Sequence, residues 1–116
     1  MTLKNQLLKP MAPVPVKRML LGSEFPLQRL TAARLSCYDK EIKEYEKAAD
    51  GEKIQLISAS LILDSILDEK GKPMSDSVTP EQLLNVHTAF ALSSAVQVIC
   101  KLNYMDDGAE DEAKNV

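Results

Sequence analysis

The apolar positions of the chain change their spacing from segment to segment, and each spacing predicts an element. Two short apolar runs, Val16-Lys17-Arg18-Met19-Leu20-Leu21 and Phe25-Pro26-Leu27-Gln28-Arg29-Leu30, are separated by Gly22-Ser23-Glu24. A short glycine-containing connection between such runs predicts a β-hairpin. Pro26 lacks an N–H and predicts that the second run lies at a sheet edge. Thr31 then offers a hydroxyl cap, and Leu35, Tyr38, Ile42 and Tyr45 recur three and four apart, which predicts a surface helix with one buried stripe. Ala48-Ala49-Asp50-Gly51 interrupts it, and Asp50 is placed to cap the next helix. From about Glu52 to Asp68 the apolar residues Ile54, Leu56, Ile57, Ala59, Leu61, Ile62, Leu63, Ile66 and Leu67 occupy more than one face. Such a helix is either central to the fold or buries a second face on a partner.

Asp68-Glu69-Lys70-Gly71-Lys72-Pro73 reads as a turn, because Gly71 and Pro73 both oppose helix continuation. Thr79-Pro80-Glu81-Gln82 is the clearest local signal: a threonine cap, proline at the first helical position, and Gln82 completing a capping box. The helix it opens is predicted to run unbroken from Pro80 to about Tyr104, with Leu83, Leu84, Val86, Ala89, Phe90, Leu92, Ala95, Val96, Ile99 and Leu102 as its apolar set. At 1.5 Å per residue it would span roughly 37 Å. The predicted class is therefore mainly α. A three-helix domain over residues 16–105 carries the hairpin at its N-terminal side, a flexible proline-rich arm (residues 1–15) precedes it, and a disordered acidic tail (residues 106–116) follows.

The two ends differ in sign. Residues 1–30 hold Lys4, Lys9, Lys17, Arg18 and Arg29 against Glu24, whereas residues 106–116 hold five acids against Lys114. A basic excess confined to a sparse arm is a poor match to phosphate, so nucleic acid is not an expected partner. At 116 residues, with 45% apolar and 27% charged, the chain has enough aliphatic material for one core of its own. Aromatic residues are only 4%, with no Trp, so no stack of rings waits for bases or flat cofactors. Neither a membrane span nor a signal peptide's apolar run is present, and the expected setting is the cytoplasm.

Candidate chemistry is sparse. Cys37 and Cys100 lie too far apart for a zinc knuckle and read as free buried thiols. The lone histidine, His87, has Leu83, Leu84 and Ala91 as its helical neighbours and no orienting partner nearby, so it reads as a packing residue. Asp64, Asp68 and Glu69 precede Gly71, but Lys70 and Lys72 stand where a calcium loop needs oxygens. Isolated glycines make no phosphate loop, and Ser58, Ser60, Ser93 and Ser94 lack the flanking glycines of a nucleophile elbow. No enzyme, metal or cofactor is expected.

What remains is stickiness: the second and third predicted helices carry more apolar surface than a domain of this size readily hides. The order of segments resembles the tail assembly chaperones of long-tailed, lambdoid bacteriophages. The resemblance rests on the proline-rich start, the hairpin ending at Leu30-Thr31, the charged helix, the turn Asp68–Pro73, the helix opened by Thr79-Pro80-Glu81, and the acidic tail ending in Lys114-Asn115. It implies a helical protein of the infected host cytoplasm that self-associates and coats the tape measure protein until the tail tube polymerises around it. It also implies a longer form made by ribosomal frameshifting that recruits the tail tube protein; Ala113-Lys114-Asn115 can be encoded by a slippery stretch. The segments expected to dock are the arm and hairpin, through Leu7, Leu8, Val14, Val16, Met19 and Leu21, since edge strands and apolar arms add readily to neighbours. The competing reading is a small DNA-binding or antitoxin-like regulator. It is weakened by a connection too long for a helix-turn-helix and by a last helix whose only basic residue is Lys101.

Overall fold

A computed structural model describes residues 2–10 and 14–104 of the chain. The elements run in the order α1 (Leu3–Leu7), β1 (Val16–Leu20), β2 (Ser23–Leu27), α2 (Ala32–Lys47), α3 (Gly51–Ser65), a 3-10 turn (Met74–Asp76), α4 (Pro80–Val86) and α5 (Ala89–Tyr104). The mainly helical class and the hairpin agree with the sequence reading. The acidic tail, including Ala113, Lys114 and Asn115, lies outside the described residues.

Each helix starts where a side chain can receive its free N–H groups. Thr31 accepts from Arg34 N, Asp50 from Lys53 N, and Thr79 from Gln82 N, with the Gln82 side chain returning to Thr79 N to complete the capping box. α3 is the central element, packing against α2, α4 and α5. Its residues Ala59, Leu61, Ile62, Leu63 and Ser65 are all buried. Much of its apolar excess is thus buried within the chain, with Ile54, Leu56 and Ile57 left partly exposed. The core cluster joins Leu61, Ile62 and Ile66 to Tyr38 of α2, Leu20 and Leu27 of the hairpin, and Leu92, Ala95, Ile99 and Leu102 of α5. Each fully buried aliphatic side chain of this kind contributes roughly 1.5–3 kcal/mol. Among the described residues Ser65 is the one buried polar side chain, and it donates from Oγ to Leu61 O at 2.9 Å, so its hydroxyl is satisfied.

Several boundaries differ from the sequence reading. The hairpin turn is Leu21-Gly22, two residues long, with Leu20 opposite Ser23 and Val16 opposite Leu27. Both turn residues have positive φ, +54° and +83°, the geometry that matches the twist of the paired strands. β2 is an edge of a two-stranded sheet, as Pro26 predicts, and the segment after α3 meets only its end: Leu27 bridges Ile66, Leu67 N donates to Pro26 O, and Gln28 N donates to Ser65 O, both at 2.9 Å. Pro26 is used there as an acceptor only, so its missing N–H costs nothing. α3 accordingly stops at Ser65, and Ile66 and Leu67, expected to be helical, are extended.

The long last helix is broken. α4 ends at Val86, His87 is extended, and Thr88 caps α5 by accepting from Ala91 N at 3.1 Å. Neither glycine nor proline marks the break; a threonine hydroxyl competing for the backbone does. The arm expected to be flexible carries one helical turn, since Thr2 caps α1 by accepting from Asn5 N at 3.2 Å. The prolines that exclude a helix begin only at Pro10.

Candidate interaction surfaces

α1 buries no residue. Leu3 and Leu7 stand four apart, so they share a face of that turn, and each is 83% exposed. Leu8 and Val14 continue the exposed apolar arm, and Met19 projects from β1. Of the docking residues expected from sequence, Leu7, Leu8, Val14 and Met19 are therefore outward. Val16 and Leu21 are not: both are partly buried and pack against the core cluster. Along β1 the alternation is simple, Val16, Arg18 and Leu20 being more buried than Lys17 and Met19. Arg18 donates from its guanidinium to Lys17 O at 2.9 Å.

A second exposed apolar pair flanks the helix break. Val86 is 76% and Phe90 81% exposed. Periodicity placed both in the apolar set of one continuous helix, and the break at His87-Thr88 overturns that continuity. The one available signal was Thr88 itself, a good cap residue inside a helical pattern. Leu3 went unnoticed because a five-residue helix has too few turns to show a period.

The hairpin is locked onto α5, which fixes where the arm leaves the body. Asn103 Oδ1 accepts from Leu30 N at 2.7 Å while its Nδ2 donates to Ile99 O at 2.8 Å, and Arg29 Nε donates to Leu102 O at 3.2 Å. α2 is tied to α3 by the Arg34 to Asp64 ion pair at 2.8 Å. At the far end of α5, Tyr104 donates to Asp39 of α2 at 3.3 Å, and partial desolvation, with the Asp39 charge second, pushes the phenol's pKa up.

Titratable chemistry is structural. Cys37, expected to be buried, is exposed and donates from Sγ to Glu41 at 3.1 Å; that bond, more than any burial, raises its pKa and holds it as a thiol. Cys100 is half-buried, and desolvation raises it too. The Asp68 carboxylate accepts from Lys70 N at 2.8 Å and Lys72 N at 3.0 Å, which pulls its pKa down and organises the Asp68–Lys72 turn. A carboxylate engaged in its own turn is poorly placed to hold calcium. Among the described residues no three His, Cys, Asp or Glu side chains gather into a group able to hold a metal ion, and no helix is long and apolar enough to cross a membrane. Residues 66–79 separate α3 from α4, far more than a helix-turn-helix connection.

A family model described as phage tail assembly chaperone protein matches residues 2–115, nearly the whole chain. No curated protein and no solved structure matches it significantly.

Proposed function

The chain belongs to the phage tail assembly chaperones, and on that premise we propose that it self-associates and coats the tape measure protein in the host cytoplasm until the tail tube polymerises around it. The observation that carries this reading is the pairing of a satisfied core with large apolar side chains left outside it. Leu3, Leu7, Leu8 and Val14 stand on the arm, and Val86 and Phe90 flank the helix break. A monomer with no partner has little use for exposed aliphatic side chains at these positions. A tape measure is a long helical chain with apolar faces, and bare faces of that kind aggregate. Helix-in-groove contacts read such faces through anchors three and four residues apart.

In this reading the arm serves contacts between copies, and Val86 and Phe90 serve the tape measure. A longer, frameshifted form adds a second domain that recruits the tail tube protein, with the codons for Ala113, Lys114 and Asn115 as the slippery stretch. Mass spectrometry of the expressed products reads this directly, and a single product from the intact gene overturns it.

Co-expression with the tape measure protein tests the main claim. The wild-type chain is expected to keep most of the tape measure soluble and to co-purify with it. Val86→Ser with Phe90→Ser is expected to lose that activity while shifting its own stability by no more than about 0.5 kcal/mol, because both side chains are outside the core. A tape measure that precipitates equally with and without the chaperone overturns the reading.

A further inference from the structure

The grooves on the surface differ in chemistry. The one between α2, α3 and residues 75–80, about 360 Å³, sets the charged Arg34, Asp64 and Glu41 beside the apolar Ile57, Leu63 and Val78. Another, about 270 Å³ and set between β1 and α5, carries Arg18 and Lys101. A third, about 230 Å³, contains Arg29, Arg34 and Asp64. The groove between α2, α3 and α5, about 240 Å³, has Tyr38, Ile42, Ile54, Leu92 and Val96 in its walls, Gln55, Ser58 and Ser93 as uncharged polar groups, and the exposed Glu46 as its one charged residue.

The arm has the complementary chemistry. α1 presents Leu3 and Leu7 on one face with nothing buried beneath them. Residues 1–15 contain Lys4 and Lys9 and no acid. An apolar pair flanked by cations thus matches in character a mostly apolar groove flanked by an anion. Size agrees as well, since a cavity of roughly 150 Å³ admits benzene and this groove is larger.

We propose that α1 of one copy seats Leu3 and Leu7 in the α2, α3 and α5 groove of a second copy, with Lys4 and Lys9 against Glu46. This rests on the reading that the chain self-associates and names the two surfaces that do it. Because knob and groove are different surfaces, the contact is heterologous, so each added copy presents a fresh groove or a fresh arm. Growth is then directional, as a ring or an open filament, a form suited to covering a long partner. The other occupant to distinguish is the chain's own arm: the eight residues Leu8–Pro15 reach at most about 28 Å.

Cysteine cross-linking separates these cases. In a Cys37→Ser, Cys100→Ala background, one tagged chain carries Leu7→Cys and an untagged chain of different mass carries Val96→Cys. Mixing them under mild oxidation is expected to join the two masses. A disulfide that forms only inside a chain carrying both cysteines, at high dilution, overturns the proposal in favour of self-closure. Absence of any cross-link in a mixture that light scattering shows to be oligomeric overturns the groove assignment while self-association stands. A strictly monomeric parent at all concentrations removes both.

The charge contact has its own readout. Glu46→Lys is expected to raise the concentration at half-assembly about twofold to fivefold, the range of exposed ion pairs, and Lys4→Glu with Lys9→Glu in the same chain is expected to restore it. Assembly indifferent to Glu46→Lys overturns the assigned pairing.

Discussion

At the tip of the hairpin, Leu21 sits at φ +54°, a backbone region that costs a leucine roughly 1–2 kcal/mol. It tolerates this because its side chain is partly buried against the core, so packing offsets strain. Its neighbour Gly22, at φ +83°, has open space where a Cβ would stand, so substitution there tests backbone conformation alone. Gly22→Ala is expected to lower stability by about 1 kcal/mol, which for a domain of this size lowers the melting temperature by roughly 4–8 °C in a thermal scan. Asp68 makes a pH prediction. Its folded pKa lies below its unfolded one, so the stability it contributes is present above the unfolded value and is lost as pH falls through the folded value. Asp68→Asn keeps the acceptor oxygen but not the charge. Its denaturation profile is expected to lose stability less steeply than wild type across the acid region below the usual carboxylate range, and an unchanged acid limb would contradict the turn's electrostatic role.

Elements depend on a few polar side chains that hold their ends. Thr88 accepts the first free N–H of α5 within reach; Thr88→Ala is expected to cost about 1 kcal/mol in urea unfolding. Asn103 clamps the exit of the hairpin to α5 through two bonds. Asn103→Ala leaves Leu30 N unpaired in a partly buried place, with an expected loss of about 1–3 kcal/mol in the same assay. Such residues are quiet in sequence. Thr31, Asp50 and Thr79 were legible as caps because each precedes an apolar period, whereas Thr88 lies inside one and Asn103 pairs with a backbone group 73 residues away. A contact that distant leaves no local trace.

Across the whole molecule, the decisive partition is between apolar side chains the chain buries for itself and those it leaves outside. Ile62 and Ile99 are fully buried, and truncating either to Ala is expected to destabilise by about 2–5 kcal/mol. Removing residues 1–15 is expected to leave thermal unfolding nearly unchanged, since α1 buries nothing, while lowering the mass seen by light scattering at high concentration. Equal mass before and after removal would show that the arm is not the assembling surface.

Local spacing by itself determined the class, the hairpin, the charged helix, the central apolar helix and the capped start at Thr79, because hydrophobic period and caps act within a few residues. The arm and edge strand also singled out Leu7, Leu8, Val14, Val16, Met19 and Leu21 as docking residues, of which Leu7, Leu8, Val14 and Met19 are exposed and Val16 and Leu21 partly buried. Tertiary structure decided the rest. It buried much of the surplus of α3 against α2, α4, α5 and the hairpin, drew Ile66 and Leu67 out of a helix to bridge the end of β2 beside Pro26, and left Val86 and Phe90 exposed at a break. Each of these follows from competition among distant groups for one core and one set of hydrogen bonds, and no window of the chain contains both competitors.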